Sequence, residues 1–256
     1  MNPKFLNRVC LQALLAAAML LSSCKKQENN PPRADRPPAP QPPQLAFSLG
    51  VSDTGMDLID SSPNAHAVKN AGVRLSTTER YSPSFLFSSA ESAKALIDSS
   101  FVSDFQDFSI CMRICPSSAD LSDQSVYTEL NSASYRTLFQ IAVLQRDGGV
   151  KFHVFARDAD GKALLEMTSP QAYPHDAWQD LLLIAKSRTV SLYIGDASAA
   201  AQANAAYSNA FATDSAALGA LHREPSIAFF DGMIADFRIY NYAIDPAIYL
   251  SPQAAQ

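Results

Sequence analysis

The sequence lacks any cluster of basic residues in its main body. Its 256 residues contain 20 Lys and Arg against 25 Asp and Glu, for a net charge of -5. Proteins that bind nucleic acid need clustered Lys and Arg to neutralise the phosphates. We therefore expect no nucleic-acid partner.

The usual signatures of hydrolytic enzymes are also missing. Glycoside hydrolases need two carboxylates that flank the scissile bond, and several place them two positions apart on one strand. No acidic residue lies two positions from any glutamate of the main body, namely Glu79, Glu91, Glu129, Glu166 and Glu224. There is no Gly-x-Ser-x-Gly turn for a serine nucleophile, and the four histidines lack the paired spacing of zinc ligands. These absences predict that the protein is not an enzyme.

Cysteine is scarce, with four residues in the chain. Cys10 and Cys24 fall in the N-terminal segment, which leaves Cys111 and Cys115 in the main body. In a strand, a separation of four residues at about 3.3 Å each places their Cα atoms about 13 Å apart, beyond the roughly 7 Å limit for a disulfide. We predict two free thiols, with small side chains that face a second sheet.

The N-terminal segment has the pattern of a secretory signal. Lys4 and Arg8 precede an apolar run over residues 9–21, which is too short to cross a hydrocarbon core about 30 Å thick. The sequence Leu-Ser-Ser-Cys at residues 21–24 resembles the lipobox of bacterial lipoproteins. That resemblance implies a signal peptide at residues 1–23 and acylation of Cys24, whose thiolate is the nucleophile that such chemistry needs. The alternative is an ordinary cleaved signal with an incidental cysteine.

Acyl chains on Cys24 would anchor the protein to a membrane. Lys25 stands where lipoproteins kept at the inner membrane often carry Asp, so we expect an outer-membrane location, on either its inner or its exposed outer surface. Residues 24–44 include seven prolines within positions 31–43 and form a disordered, semi-rigid linker in this interpretation. Residues 45–250 then form one domain, and residues 251–256 form a tail.

The main body of the chain is a series of predicted β-strands. In the stretch FSICMRICP at 108–116, alternate residues form an apolar face, consisting of Phe108, Ile110, Met112 and Ile114. Turn signals at Asp147-Gly148-Gly149 and Asp160-Gly161 separate further strands, as does the polar stretch AKSRT at 185–189. Many short strands without long amphipathic helices predict an antiparallel β-sandwich or jelly roll.

The last sixty residues contain an alanine-rich segment, a further strand pattern and a helix-start signal. The alanine-rich stretch 197–218 lacks a wide apolar stripe, and we interpret it as a long connection. In GMIADFRIY at 232–240, the alternation predicts one buried face, consisting of Met233, Ala235, Phe237 and Ile239. Asp245 and Pro246 predict an N-cap and a first helical residue for a short final turn.

The order of these features resembles the laminin-G-like, concanavalin A-like jelly-roll domains. The matching phrases are QLAFSLG, LIDSSPNAHAV, FSICMRICP, the hairpin from Trp178 to SLYIGD, ALGA, and FFDGMIADFRIYNYAID. The sequence departs from the family where Arg113 replaces a usual tryptophan and Ala235 replaces the first of two acidic residues. The resemblance implies a concanavalin A-like all-β fold over residues 45–250.

The resemblance also implies candidate sites. Members of the family often hold a structural Ca²⁺, and Asp60 and Asp236 are the positions that correspond to its ligands. A salt bridge between Asp236 and Arg238 would explain the second residue without a metal. Members also bind carbohydrate through aromatic and polar side chains, and the candidates here are Arg113, Tyr135, Arg136 and Tyr173. Trp178 is interpreted as a core residue.

These observations predict a lipid-anchored, non-catalytic binding module of the cell envelope. Its ligand would be a glycan or an extracellular protein. One alternative is a structural or assembly lipoprotein that docks an envelope complex without a small ligand. A glycan-active enzyme is the least favoured alternative, because the paired carboxylates are absent.

Overall fold

The computed structural model describes residues 44–55, 57–77, 80–203 and 211–250. The predicted signal peptide, Cys24, all but the last residue of the linker, and the tail at 251–256 lie outside these residues. Within the described ranges, no helix is long and apolar enough to cross a membrane.

The described residues form sixteen strands and one short helix. In chain order these are β1 (Leu45–Val51), β2 (Leu58–Asp60), β3 (Val68–Ala71), β4 (Arg74–Ser76), β5 (Ser84–Phe87), β6 (Lys94–Ile97), β7 (Phe108–Pro116), β8 (Gln124–Asn131), β9 (Arg136–Arg146), β10 (Gly149–Arg157), β11 (Ala163–Thr168), β12 (Gln179–Lys186), β13 (Thr189–Ile194), β14 (Ala199–Ala203), β15 (Ser215–Leu218), β16 (Gly232–Tyr240) and α1 (Pro246–Tyr249).

The strands form two antiparallel sheets. In the described part of the chain, sheet 1 has nine strands, with β14-β13-β12-β7-β16-β1-β2 in sequence across the sheet, β5 also beside β16, and β4 beside β5. Sheet 2 has seven strands in the order β11-β10-β9-β8-β15-β6-β3. The β9-β10 turn follows its prediction, because Asp147 and Gly148 both adopt positive φ, at 57° and 76°. Two such residues match the right-handed twist of a tight hairpin.

The core lies between the two sheets. The four residues predicted for the apolar face of β7 are fully buried, at 0% exposure. Aromatic rings join the sheets: Tyr127 packs against Phe237 with ring centroids 5.3 Å apart, and Phe108 against Phe139 at 6.4 Å. The predicted antiparallel β-sandwich is confirmed.

The predicted core face of β16 is wrong in its first half, although Ala235 is buried as predicted, at 2% exposure. Asp236 adopts φ of 52°, and the pairing of β16 with β7 shifts register between Ala235 and Arg238. This bulge adds a residue to one strand and inverts the alternation beyond it. Ile234 therefore enters the core with Phe237 and Ile239, whereas Met233 and Ala235 lie opposite Cys115 and Arg113 on the outer face.

The alanine-rich segment is not simply a long connection, as the sequence suggested. Residues 199–203 form β14 at the edge of sheet 1, and residues 215–218 form β15 between β8 and β6. Ala216 and Ala217 are fully buried in β15. Alanine has the highest intrinsic helix propensity, but hydrogen bonding and burial between two neighbouring strands override such a preference here. Residues 204–210 lie outside the described ranges.

The C-terminal segment, residues 241–250, covers part of the outer face of sheet 1. Ala243, Ile244, Tyr249 and Leu250 pack on a small apolar cluster that contains Cys111. Both body cysteines are free, as predicted, but Cys111 faces this segment and not sheet 2. Burial raises the pKa of the Cys111 thiol. Strand β7 is consequently buried on both faces, with sheet 2 on one side and the C-terminal segment on the other.

The short helix α1 begins as predicted. The Asp245 side chain accepts a hydrogen bond from the backbone N–H of Ala247 at 2.9 Å, and Pro246 is the first helical residue. A capping side chain satisfies one of the backbone donors that a helix start leaves free.

A buried carboxylate fastens two loops to sheet 2. Glu129 of β8 is fully buried, and its Oε1 accepts hydrogen bonds from the backbone N–H groups of Phe101 and Val102, at 3.0 and 2.9 Å. The same oxygen accepts from Tyr127 Oη at 2.7 Å, and Oε2 accepts from Thr213 Oγ1 at 2.7 Å. Burial raises the pKa of Glu129 despite these four bonds.

Candidate binding face

The outer face of sheet 2 presents a set of polar and aromatic side chains that we call the open face. Alternation along β9, β10 and β11 places every second residue outside the core. The open face consists of Gln140, His153, Phe155, Arg157, Glu166 and Thr168. The first four are half-buried, and the last two are exposed.

Strand β10 supplies the central row of the open face. The rings of His153 and Phe155 are stacked, with centroids 6.4 Å apart and an interplanar angle of 14°. The Arg157 guanidinium carbon lies 6.0 Å from the centroid of the Phe155 ring, within cation–π range. Arg157 Nε also donates to the backbone oxygen of Thr137 at 2.9 Å, which holds the guanidinium over the sheet. The row combines an apolar surface with hydrogen-bond donors.

The neighbouring strands add an amide and a carboxylate on either side of Phe155. Gln140 of β9 and Glu166 of β11 are its direct cross-strand partners. Gln140 Nε2 donates to Ser125 Oγ at 2.6 Å, and this contact orients the amide. Burial lowers the pKa of His153, and its Nδ1 lies 2.9 Å from Thr168 Oγ1. A neutral imidazole near pH 7 offers one donor and one acceptor.

Residues 219–228 form a loop that borders the open face near Arg157. The loop is closed by a bridge between Leu221 and Ile227. Thr137 Oγ1 donates to the backbone oxygen of His222 at 2.6 Å, while the Thr137 backbone oxygen accepts from Arg157. His222 Nδ1 is buried without a hydrogen-bond partner, and burial lowers the pKa of this histidine. The loop thus holds Thr137 from one side, while Arg157 binds the same residue from the other.

This arrangement suits binding better than catalysis. Exposed aromatic and guanidinium groups beside amide, imidazole and carboxylate groups can contact both the apolar and the hydroxyl surface of a ligand. Glu166 is the one carboxylate among the residues that define the open face, whereas glycoside hydrolysis commonly requires two that flank the bond.

The residues that the sequence suggested for ligand binding do not come together. Arg136 begins β9, whereas Tyr173 is bridged to Val150, which pairs with Gln145 near the end of that strand. Nine residues at about 3.3 Å separate these positions by about 30 Å. Tyr173 is 8% exposed and packs on Phe152, so it belongs to the core.

Tyr135 is the most exposed of these candidates, at 66%. It occupies the β8-β9 turn with φ of 52°. The neighbouring Arg136 donates through Nη1 to the backbone oxygen of Ala159 at 2.5 Å. Tyr135 lies in the turn and Arg136 at the start of β9, and neither shares a hydrogen bond or ring contact with the β10 row in the described part of the chain.

Arg113 lies on the outer face of the other sheet. Its side chain is 12% exposed, and Nε donates to Asp180 Oδ1 at 3.1 Å. Its guanidinium carbon is 4.4 Å from the centroid of the Tyr81 ring, which packs edge-on against Trp178 at 5.1 Å. The cluster holds Arg113 in place on sheet 1, and Trp178 is half-buried there and not part of the central core.

The two acidic residues that the family resemblance suggested do not fit a calcium ion. Asp60 Oδ1 accepts from the backbone N–H groups of Ser48 and Ser62, and Oδ2 accepts from Ser62 Oγ and the backbone N–H of His66. Calcium needs oxygen lone pairs, whereas these neighbours present hydrogen atoms. Asp236 forms an ion pair with Arg238, as the alternative interpretation predicted. In the described ranges, no group of three or more His, Cys, Asp and Glu could hold a metal.

The residues of the open face were missed in the sequence, although a signal was present. In KFHVFAR at 151–157, alternation separates Phe152, Val154 and Ala156 from the outward row of β10. The same pattern in β7 is buried on both sides, so alternation alone does not show which outer face stays uncovered. The loop at His222, which binds Thr137 beside Arg157, lies about seventy residues further along the chain.

Comparison with known proteins places the chain among carbohydrate-associated folds. A laminin-G family model, described as the concanavalin A-like lectin/glucanases superfamily, matches residues 88–247, which is more than half of the chain. This match covers the open face and confirms the predicted concanavalin A-like jelly roll. No curated protein matches the sequence.

Solved structures with the same fold include binding domains of botulinum neurotoxins. The domain of botulinum neurotoxin DC in complex with SialylT has a TM-score of 0.63 and 13% identity, over 83% of this chain and 51% of that chain. The complex of the DC domain with rat synaptotagmin II has a TM-score of 0.64 and 13% identity, over 83% and 52%. The serotype D binding domain has a TM-score of 0.62 and 16% identity, over 82% and 52%. The chain spans about half the length of these structures, and at such identities the likeness shows the fold alone.

Proposed function

Because the chain belongs to the concanavalin A-like lectin/glucanases superfamily, we propose that it is a non-catalytic binding module whose open face recognises a glycan. The observation that carries this proposal is the row of His153, Phe155 and Arg157, whose side chains are half-buried on the outer face of sheet 2 in the described part of the chain. Gln140 and Glu166 lie on either side of Phe155, where their side chains can form hydrogen bonds with a ligand.

The chemistry of the open face matches that of a sugar. One side of a pyranose ring is apolar and packs on an aromatic face such as Phe155, while its hydroxyls need both donors and acceptors. Arg157 supplies donors, Glu166 supplies acceptors, and a neutral His153 supplies both. The single carboxylate of the face supports binding without hydrolysis.

The structural neighbours give independent support for a binding role. One neurotoxin domain of this fold is seen in complex with SialylT, and another with rat synaptotagmin II. A glycan or a protein ligand is therefore compatible with the fold. We favour the glycan because the open face combines aromatic, imidazole and guanidinium groups in one row.

We also propose that the module acts at the cell envelope. The lipobox-like sequence ending at Cys24 supports a lipid anchor in the outer membrane, and the proline-rich residues after it support a linker that holds the domain away from the bilayer. In this location the open face would meet glycans of the envelope or of its surroundings.

The experiment is a glycan array probed with a soluble fragment that begins at Gln44. Phe155→Ala should weaken the strongest signals about tenfold, since a lost aromatic contact costs on the order of 1 kcal/mol. Tyr135→Asn is the matched control, because it removes an aromatic ring that is more exposed and lies elsewhere, and Asn tolerates its positive φ. Thermal unfolding of each variant shows whether the fold is kept.

Two outcomes would contradict glycan binding at the open face. One is an unchanged array signal for the Phe155 variant when the control behaves as expected. The other is silence across bacterial, host and plant glycans together with co-purification of one fixed protein partner. The second outcome would favour an assembly lipoprotein that docks an envelope complex.

A further inference from the structure

A cleft of about 580 Å³ lies on the other side of the molecule, on the outer face of sheet 1. The β12-β13 hairpin and Gln202 of β14 form one side, and residues 243–246 of the C-terminal segment form the other. Its volume falls within the range of about 300 to 1,000 Å³ that small-molecule sites occupy. It is separate from the open face, which belongs to sheet 2.

The cleft has an apolar base and an aromatic wall. Ile184 is buried beneath it, with Ala243 and Ile244 of the C-terminal segment packed against the same cluster. Tyr193 of β13 is half-buried and also lines the space. Such a base favours a ligand with an apolar surface of its own.

Most polar side chains around the cleft are free of partners within the described part of the chain. Six polar side chains line the space without a hydrogen bond from their own side-chain atoms to another described residue; they are Lys186, Ser187, Thr189, Ser191, Tyr193 and Gln202. Ser191 is 7% exposed. The others are exposed or half-buried, so their donors and acceptors are open to solvent and available to a bound ligand.

The charges of the cleft balance. Lys186 supplies one ammonium and Asp245 one carboxylate, and Asp245 already accepts from the Ala247 backbone N–H. An anionic or a cationic ligand would meet one favourable and one unfavourable charge. A neutral ligand with many hydroxyls and an apolar ring face would use the hydroxyl, amide and aromatic groups together.

We propose that this cleft is a second binding site, which takes a small neutral saccharide. The site uses Ser191 and Thr189 on β13 as central hydrogen-bonding groups, with Tyr193 against the sugar ring. It does not depend on the open face, and the two sites lie on different sheets.

The test uses the full chain in mild detergent and three neutral probes, namely lactose, cellobiose and N,N′-diacetylchitobiose. Titration calorimetry and saturation-transfer NMR up to about 10 mM detect even a millimolar site. We expect at least one probe to bind. Ser191→Ala should weaken it about tenfold, as expected for loss of one hydrogen bond, and Ser191→Leu, which fills the cleft, should abolish binding.

Phe155→Ala is the control that separates the two sites, because it alters the open face alone and should leave this binding unchanged. Binding that is lost in the Phe155 variant but kept in both Ser191 variants would overturn the cleft site while supporting the open face. Absence of binding for all three probes would also overturn it. If Ser191→Leu fails to fold by thermal unfolding, Ser191→Ala and Thr189→Ala decide the matter, and wild-type affinity in both would refute the proposal.

Discussion

Removal of the buried Glu129 carboxylate should destabilise the domain strongly, whereas its neutral amide analogue should not. Four hydrogen bonds reach this side chain, two from backbone N–H groups of residues 101 and 102, one from Tyr127 and one from Thr213. Glu129→Ala leaves all four donors without their acceptor. At about 1 kcal/mol for each bond, the free energy of unfolding should fall by about 4 kcal/mol. For a domain of this size, the melting temperature should fall by about 8 to 16 °C.

Glu129→Gln keeps the geometry and removes only the charge. Its Oε1 can accept the three bonds that Oε1 of the glutamate accepts, and its Nε2 can donate to Thr213 Oγ1, which itself lies 2.9 Å from Ser103 Oγ. We expect a loss of unfolding free energy of about 1 to 2 kcal/mol, smaller than for alanine, because only the second Nε2 hydrogen is left without an acceptor.

The two variants also differ in pH dependence. Burial raises the pKa of Glu129 above the unfolded value of about 4.3, so between these two pKa values the folded state holds one proton more than the unfolded state. This group therefore lowers stability as pH rises from about 4.3 through the folded-state pKa, and its effect is constant above it. Glu129→Gln should lose this contribution.

Thermal unfolding followed by circular dichroism at a series of pH values from about 4.5 to 8 measures both effects. Glu91→Gln is the matched control, because Glu91 is half exposed and pairs only with Arg74 at the surface. The reasoning would be refuted if Glu129→Ala were as stable as Glu129→Gln. It would also be refuted if Glu129→Gln kept the pH slope of the wild-type protein after subtraction of the control.

The other predictions concern the anchor, the metal and two local contacts. Cys24→Ser should shift the protein from the membrane to the soluble fraction, and unchanged fractionation would refute the lipid anchor. EDTA should leave the melting temperature unchanged, and a lower melting temperature in EDTA would show that a metal is bound. Asp60→Ala should lower the unfolding free energy by about 2 to 4 kcal/mol, because four donors lose their acceptor. The Cys111 thiol should react with a thiol reagent only after unfolding, since it is buried and its pKa is raised, and rapid modification of native protein would argue against the packing of the C-terminal segment. Asp245→Ala should cost about 1 kcal/mol through loss of the α1 cap, measured by denaturant unfolding, and an unchanged midpoint would show that this cap contributes nothing.

Local patterns predicted the elements of the fold well where one residue acts on its near neighbours. The apolar alternation of β7, the Asp147-Gly148 turn and the Asp245-Pro246 helix start each depend on a few adjacent residues, and all three are confirmed. The binding residues were predicted poorly. Arg113 and Tyr173 are chemically suitable, but one is held by Asp180 and the other is bridged to Val150 inside the sandwich.

The sequence by itself determined that this protein is a β-sandwich, because period-two alternation and turn residues act through local backbone geometry. Only the tertiary structure decided which surface is open. The bulge at Asp236, the C-terminal segment over Cys111, and the hydrogen bond from Thr137 to the loop at His222 all depend on contacts between residues far apart in the chain. Such contacts follow from strand register and sheet packing, which no short stretch of sequence specifies by itself.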